Sequence, residues 1–240
     1  MDTDGPLPFS QIIYKNRFLY LLIFIFILIA IQPLDAVIGN VGIVLEVLTT
    51  AILVSAIYTV SHKKFHFIFG LLLALPTLVS MWLTQIYKTT WLALSGNFFG
   101  MIFFGFIIIT ILTLIFNRNE ITRDLIAGAA AVYLLMAVVW TYAYQLIEII
   151  QPGSFSFAQS QSSGSQAPFL YYSFVTMTTL GYGDVTPSST AAKSCAVLEA
   201  VVGQLYLVIT VAWLVGVHIS QSMEKKTKKD CPIKRKGLKD

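Results

Sequence analysis

Six long apolar stretches decide what kind of fold this chain can adopt. A helix that crosses the hydrocarbon core of a bilayer needs roughly 20 apolar residues, because the core is about 30 Å thick and each helical residue rises about 1.5 Å. Short polar connections, of the length that joins antiparallel helices, separate the stretches. The predicted membrane spans cover residues 18–32, 37–60, 67–87, 92–116, 125–150 and 191–220, and the first is somewhat short.

The composition agrees with a membrane-embedded chain. Of the 240 residues, 56% are hydrophobic and 12% are charged, which is too apolar for a soluble domain of this size. Residues 1–11 are polar and acidic, and no small-residue cleavage site follows the first apolar run, so we expect a retained span and no secretory signal. Cys195 and Cys231 have no partners at ligand spacing, and we predict neither a disulfide framework nor a zinc site.

The distribution of basic residues predicts the orientation of the spans. Lysine and arginine concentrate in the cytoplasmic connections of membrane proteins. With the N-terminus inside, the cytoplasmic segments hold all of the 16 lysines and arginines except Lys88 and Lys193. We therefore predict six spans with both termini cytoplasmic, in the plasma membrane. The net charge of +4 follows from this bias and does not predict nucleic-acid binding.

A polar run with two glycines, TMTTLGYGD over residues 176–184, lies between the fifth and sixth spans. A dehydrated cation needs oxygens to replace its water, and consecutive backbone carbonyls supply them only where the residues turn all their C=O groups to one side. Gly181 and Gly183 permit the unusual backbone conformations that this requires. The Thr179 hydroxyl adds a further oxygen at the inner end.

This run resembles the filter of the potassium channel family, whose TVGYG loop is the known example of a carbonyl-lined filter. The resemblance covers roughly residues 168–220, with support from the fifth span. Leu180 departs from the family pattern, because valine is usual at that position. It implies a selectivity filter at Thr179, Leu180, Gly181, Tyr182 and Gly183, the first four binding permeant K⁺, with no other cofactor. It also implies a homotetramer, because one chain carries a single filter segment.

The segment before the filter predicts a re-entrant pore helix. Residues 169–178 are apolar and aromatic but too short to cross the membrane, and Pro168 suits the first turn of a helix. Residues 151–167, rich in Ser, Gln and Gly, form the predicted extracellular turret.

The resemblance assigns supporting roles around the filter. Tyr171 and Tyr172 occupy the place of an aromatic pair, which implies an aromatic cuff that braces the filter; the alternative is that they are interfacial anchors. Asp184 is implied to tie the outer mouth to this cuff. Thr178 is assigned to filter support.

The sixth span carries Gly203 at the distance from Gly183 where the resembling channels have the hinge of the inner helix. Glycine weakens a helix by about 1 kcal/mol relative to alanine, which favours a hinge. Close helix packing, common for glycine in membranes, is the alternative. Extending the same register gives five residues predicted to face the pore, where the valines would form a dewetting constriction. They are Gln204, Leu207, Val208, Val211 and Val215.

Two carboxyl groups lie deep within predicted spans, where they are costly and therefore candidates for function. Glu199, one turn before Gly203, is predicted to support the filter from behind the pore helix, as a neutral acid with a hydroxyl partner such as Thr176. In the pore helix, Val175 stands where some relatives carry glutamate. The alternative for Glu199 is a neutral acid hydrogen-bonded within the bundle, and for Glu46 in the second span we favour that alternative.

The leading spans carry no arginine sensor. Voltage sensing needs several arginines at helical spacing within a span, and the fourth span contains none, so we predict no steep voltage dependence. The leading bundle would then sense a ligand, hold lipid or stabilise the tetramer. The lysine-dense tail either attracts anionic lipid or, as we favour, is a topogenic signal with a disordered end.

Together these features predict an all-α integral membrane protein with six transmembrane helices and a re-entrant pore helix and selectivity filter between the fifth and sixth. The predicted parts are a cytoplasmic N-terminus (residues 1–17), a four-helix bundle (18–124), a pore domain (125–220) and a basic cytoplasmic tail (221–240). The predicted function is passive, selective K⁺ permeation.

Several alternatives remain open at this point. They are a poorly selective cation channel, an active potassium-transporter subunit, and a non-conducting regulatory or receptor subunit. No enzymatic site is predicted, because His62, His66 and His218 lie at span edges without a nucleophile or metal spacing.

Overall fold

The computed structural model describes residues 17–31, 41–60, 64–117, 121–157 and 167–230. Two three-residue strands, β1 (Phe155–Phe157) and β2 (Val185–Pro187), pair with each other. The other regular elements of the described chain are the helices α1 (Arg17–Ile31), α2 (Val41–Val60), α3 (Lys64–Tyr87), α4 (Thr90–Phe116), α5 (Arg123–Ile150), α6 (Ala167–Met177) and α7 (Thr190–Asp230).

Five helices of the described chain, α2, α3, α4, α5 and α7, are long and apolar enough to cross a membrane. This confirms a mostly helical membrane protein. The predicted first span corresponds to α1, whose 15 residues reach only about 22 Å, less than the hydrocarbon thickness. A sixth span therefore stays a prediction. Residues 32 and 37–40, which belong to the first two predicted spans, lie outside the described residues.

Helix α5 is the centre of the packing, because it contacts α1, α4, α6 and α7. Two glycines set how closely the leading helices approach it. A Cβ at Gly128 of α5 would lie 3.0 Å from the Phe18 ring of α1, and one at Gly100 of α4 would lie 2.9 Å from Tyr142 Cε1 of α5. Small residues at such crossings allow helices in membranes to pack by van der Waals contact.

The leading helices share one apolar core with α5. Helix α4 packs along α3 and α5, and α1 packs along α2 and α5. Asp124, at the start of α5, fastens α1, because its Oδ1 accepts hydrogen bonds from the amides of Phe18 (3.1 Å) and Leu19 (3.4 Å). These amides belong to the first turn of α1, which has no intrahelical acceptor for them. Fully buried side chains of the core include Leu21, Ile25, Leu53, Phe103, Phe104, Ile107 and Leu135.

The predicted turret contains regular structure that the sequence did not predict. Phe155–Phe157 forms an antiparallel pair with Val185–Pro187, in the register Phe155 to Pro187 and Phe157 to Val185. The prediction of a turret over residues 151–167 included no strand, while residues 158–166 lie outside the described part of the chain. The strand pair fixes the turret to the segment that follows Asp184.

The last helix is longer than predicted. Helix α7 continues from Thr190 to Asp230, ten residues beyond the predicted end of the sixth span. The end of the tail, residues 231–240, which was predicted to be disordered, lies outside the described residues. Glutamate and lysine are good helix formers, and no glycine or proline occurs between Gly216 and Pro232. Among the described elements, α7 contacts α5, α6 and β2, and most of its length is exposed in the single chain.

Candidate functional site

The short helix α6 directly precedes the segment that contains the TLGYG run. It has 11 residues, begins with Ala167 and Pro168, and ends at Met177, directly before Thr178. At about 1.5 Å per residue it is roughly 16 Å long, too short to cross a bilayer. Most of its side chains are buried against α5 and α7, so the run that follows starts from a fixed point.

The backbone of the TLGYG run turns back on the end of α6. The amides of Leu180 and Gly181 both donate to the carbonyl of Val175, at 2.9 and 3.4 Å, and the amide of Thr179 donates to Thr176 at 3.0 Å. These bonds satisfy carbonyls that the last turn of a helix otherwise leaves without a partner. The run is thus attached to α6 through its N–H groups.

Every second residue of the run has a positive φ. The values are 62° at Thr179, 59° at Gly181 and 79° at Gly183, whereas Leu180 and Tyr182 have negative φ. Glycine adopts positive φ without cost, whereas threonine pays about 1–2 kcal/mol, so the fold supports a strained conformation at Thr179. Alternation of this kind turns successive carbonyls toward the same side, which ordinary helix or strand geometry does not do.

The other side of the run is open in the single chain. Residues 178–184 are all exposed, with 57% of Leu180 and 68% of Tyr182 accessible. Within the described residues, no backbone carbonyl from Thr179 to Gly183 accepts a hydrogen bond. A row of free carbonyl oxygens is therefore available to a ligand that prefers oxygen. Thr178 turns back, because its hydroxyl donates to the Phe174 carbonyl at 2.6 Å.

The outer end of the run is tied to α6 by Asp184. Its Oδ2 accepts a hydrogen bond from the Tyr171 hydroxyl at 2.7 Å, and its Oδ1 accepts one from the Val185 amide at 3.1 Å. Partial burial and the bond to Asp184 raise the pKa of Tyr171 to about 12, so the phenol stays protonated and keeps donating at neutral pH. The structure thus brings Tyr171 and Asp184 together, and their role in supporting a filter stays a prediction.

Tyr172 lies in an aromatic cluster behind the run. Its ring centroid is 5.1 Å from that of Tyr144 and 5.5 Å from that of Phe155, and Phe155 also packs on Phe169 at 5.3 Å. Edge-to-face pairs of this kind add about 0.5–1.5 kcal/mol each beyond the area that they bury. The cluster joins α5, α6 and the strand pair, and Tyr172 is buried within it and not placed at an open interface.

Glu199 joins three helices behind the run. It is fully buried on α7, where one carboxyl oxygen bonds the Tyr144 hydroxyl of α5 and the other bonds the Ser173 hydroxyl of α6. The predicted partner Thr176 is therefore wrong. Ser173, one turn earlier, faces α5 and α7, where its hydroxyl lies within hydrogen-bonding distance of Ala137 and Glu199. Glu46 is also buried, but on α2, outside the pore segment.

Gly203 lies where α7 meets the end of α6. A Cβ at this position would be 3.0 Å from Met177 Cγ and 3.4 Å from the Met177 carbonyl oxygen. Helix α7 runs through Gly203 without interruption. This contact favours close packing at Gly203, while a hinge stays a prediction.

The five residues predicted to face the pore are all exposed in the single chain, and their spacing places them on one stripe of α7. Leu207 and Val211 border an apolar groove of about 350 Å³ between α1, α5 and α7. Gln204, Val208 and Val215 do not line this groove. Which of the five face a central axis stays a prediction.

Residues 125–218 match a family model described as Ion channel. The match extends from α5 through the TLGYG run to the middle of α7, and it covers less than half of the chain. It supports ion channel function and favours a transport role over an enzymatic one. No curated protein and no solved structure matches the chain.

Sequence reasoning missed several residues of the matched segment, among them Ser173 and Tyr144, which bond Glu199, and Tyr133. Tyr133 of α5 donates a hydrogen bond of 3.0 Å from its hydroxyl to the Met177 carbonyl at the end of α6. An aromatic residue in an apolar span gives no signal of such a contact, because the acceptor lies 44 residues away in sequence. Elsewhere in the described chain, no three His, Cys, Asp or Glu side chains come together as metal ligands.

Proposed function

We propose that the protein is a potassium-selective channel that conducts K⁺ passively through a homotetrameric pore. The alternating positive φ at Thr179, Gly181 and Gly183 carries this proposal. A conformation that turns successive carbonyls to one side replaces the hydration shell of a dehydrated cation with backbone oxygens. The TLGYG sequence favours K⁺ among cations, because it resembles the potassium channel filter.

The single chain supplies one wall of such a filter. The free carbonyls of residues 179–183 and the exposed side of α7 both need neighbours, and four copies around a central axis provide them. In this arrangement Thr179, Leu180, Gly181 and Tyr182 bind K⁺, and α6 is the re-entrant pore helix. Glu199, Tyr171, Tyr172, Thr178 and Asp184 hold the filter in position from behind and from the outer side.

The proposed orientation follows the basic residues. Both termini are cytoplasmic and Tyr182 faces outward in the plasma membrane, which agrees with the bias of lysine and arginine toward the inner connections. The lysines of the C-terminal segment then lie where anionic lipid headgroups are within reach.

The proposal is tested by cation flux into liposomes that hold the purified protein. We expect a native mass near four times 26.6 kDa and a barium-sensitive flux that favours K⁺ over Na⁺. Gly181→Ala should reduce the flux at least about tenfold, because alanine pays about 1–2 kcal/mol at positive φ and turns the carbonyl away from its neighbours. Gly181 has open space for a Cβ, so a clash within the chain does not explain a loss.

Gly153→Ala is the matched control. Gly153 also has a positive φ, of 83°, with open space around it, but it lies in the turn after α5, outside the filter. It should cost stability and leave selectivity unchanged. Equal Na⁺ and K⁺ flux would instead identify a poorly selective cation channel. No flux from a stable tetramer would reject the proposal and favour a non-conducting subunit.

A further inference from the structure

The carbonyl groups at the end of α6 are all accounted for, and one of them has an unusual partner. The carbonyls of Phe174, Val175 and Thr176 accept hydrogen bonds from amides of residues 178–181. The next carbonyl, that of Met177, accepts from the Tyr133 hydroxyl of α5 at 3.0 Å. Because Met177 is the last residue before Thr178, this bond fixes the peptide from which the TLGYG run begins.

A second tyrosine connects this bond to α7. The Tyr206 hydroxyl donates to the Ala129 carbonyl of α5 at 2.7 Å, one helical turn before Tyr133. The rings of Tyr133 and Tyr206 stack, with centroids 6.1 Å apart and an angle of 24° between the planes. Tyr206 lies one turn after Gly203, which itself contacts Met177.

These contacts connect each of the helices α5, α6 and α7 with the other two. Helix α7 touches Met177 directly at Gly203 and indirectly through Tyr206 and Tyr133, so a displacement of α7 against α5 changes both contacts on the same peptide. Met177 has no accessible surface, so it cannot itself move into solvent or lipid when α7 is displaced, whereas Tyr133 and Tyr206 border the apolar groove between α1, α5 and α7.

We propose that Tyr133 is a positioning residue for the filter and that Tyr206 couples it to α7, so that K⁺ binding depends on the position of the inner helix. The proposal rests on the proposed function, since it assumes that residues 179–182 bind K⁺. Coupling of this kind is reciprocal: a change in α7 that weakens the Tyr133 bond lowers K⁺ affinity, and bound K⁺ favours the α7 position that keeps the bond.

The test compares K⁺ affinity among tyrosine variants of the purified full-length protein, by isothermal titration with K⁺ in a Na⁺ background. Tyr133→Phe removes only the hydroxyl and should weaken K⁺ binding about fivefold, the loss of one ordinary hydrogen bond. Tyr206→Phe should weaken it about twofold. Because the two act in series, the double variant should be no weaker than Tyr133→Phe alone.

Tyr142→Phe is the matched control. It removes a hydroxyl from a buried tyrosine on the same helix, but its ring packs against Gly100 and Phe104 of α4, on the side away from α6. We expect unchanged K⁺ affinity. Thermal unfolding of every variant is measured in parallel, because a purely structural hydrogen bond would lower the unfolding temperature and leave K⁺ affinity unchanged.

The outcomes separate the two proposals. Wild-type protein that binds no K⁺ and carries no flux would overturn the proposed function and this coupling with it. Wild-type K⁺ binding with unchanged affinity in Tyr133→Phe would overturn the coupling alone, and so would an equal loss in Tyr142→Phe. If Tyr133→Phe does not fold, Tyr206→Phe carries the test, since its hydroxyl does not contact α6, and unchanged affinity there would overturn the coupling.

Discussion

The buried carboxyl of Glu199 shows how much one residue contributes to the site. The Ser173 hydroxyl lies within hydrogen-bonding distance of two acceptors, the Ala137 carbonyl (2.8 Å) and Glu199 Oε1, but it carries one proton. Each of these hydrogen bonds has its own proton if Glu199 is protonated and donates to Ser173. Ser173 then donates to Ala137, and Tyr144 donates to the second carboxyl oxygen. A neutral acid also avoids the cost of a charge within a span.

This assignment of protons predicts the effect of two substitutions at Glu199. Glu199→Gln should stay within about 1 kcal/mol of wild-type stability, because the amide donates to Ser173 and accepts from Tyr144 in the same positions. Glu199→Ala should cost about 3 kcal/mol, since it removes the hydrogen-bond partner of the buried Tyr144 hydroxyl, leaves Ser173 with its bond to Ala137 alone and opens a cavity. Thermal unfolding in detergent measures both. Equal losses for Gln and Ala would show that Glu199 needs its charge.

Among the elements, α7 carries the contact that decides between the two interpretations of Gly203. Replacement by alanine should destabilise the protein by about 1–3 kcal/mol and reduce flux, because the new Cβ would meet Met177 at 3.0 Å, directly before the filter. Gly216→Ala, on the same helix with open space around it, should be neutral or stabilising by about 1 kcal/mol. Unfolding temperatures of the two variants measure the difference. If Gly203→Ala stabilises the protein as Gly216→Ala does, the result would support the hinge interpretation over close packing.

How far the sequence predicts these elements depends on the range of the interaction that forms them. Hydropathy over 20 or more residues predicts α3, α4 and α5 to within a few residues, because burial in lipid is a property of the stretch itself. The strand pair of Phe155–Phe157 with Val185–Pro187 was missed, since three residues of alternating pattern are too short to stand out. The contacts of Tyr133 and of Ser173 depend on helix packing, which no local pattern records.

In the chain, the leading helices pack on the segment 125–218 mainly through α5, and α4 also meets α7, where the Phe116 and Trp213 ring centroids are 5.1 Å apart. Helix α1 is fastened by Asp124 and approaches α5 at Gly128, and α4 approaches it at Gly100. A movement of α4 would therefore reach the TLGYG run through α5 and the Tyr133 contact, and would also act on α7 through Phe116 and Trp213. What the chain lacks is a charge on α4 for the membrane field to move, because Thr90–Phe116 contains no lysine, arginine, aspartate or glutamate.

We therefore predict that conduction depends little on voltage, although α4 is mechanically connected to the pore. Each elementary charge that crosses the membrane field gains about 2.3 kcal/mol per 100 mV, a change of about 50-fold in an equilibrium constant. Planar-bilayer recordings from −100 to +100 mV should show open probability changing by less than this single-charge value over about 100 mV. A steep activation with depolarisation would contradict the prediction and require sensor charges outside α4, whereas a flat response would leave α1, α2 and α3 to respond to lipid or to a ligand.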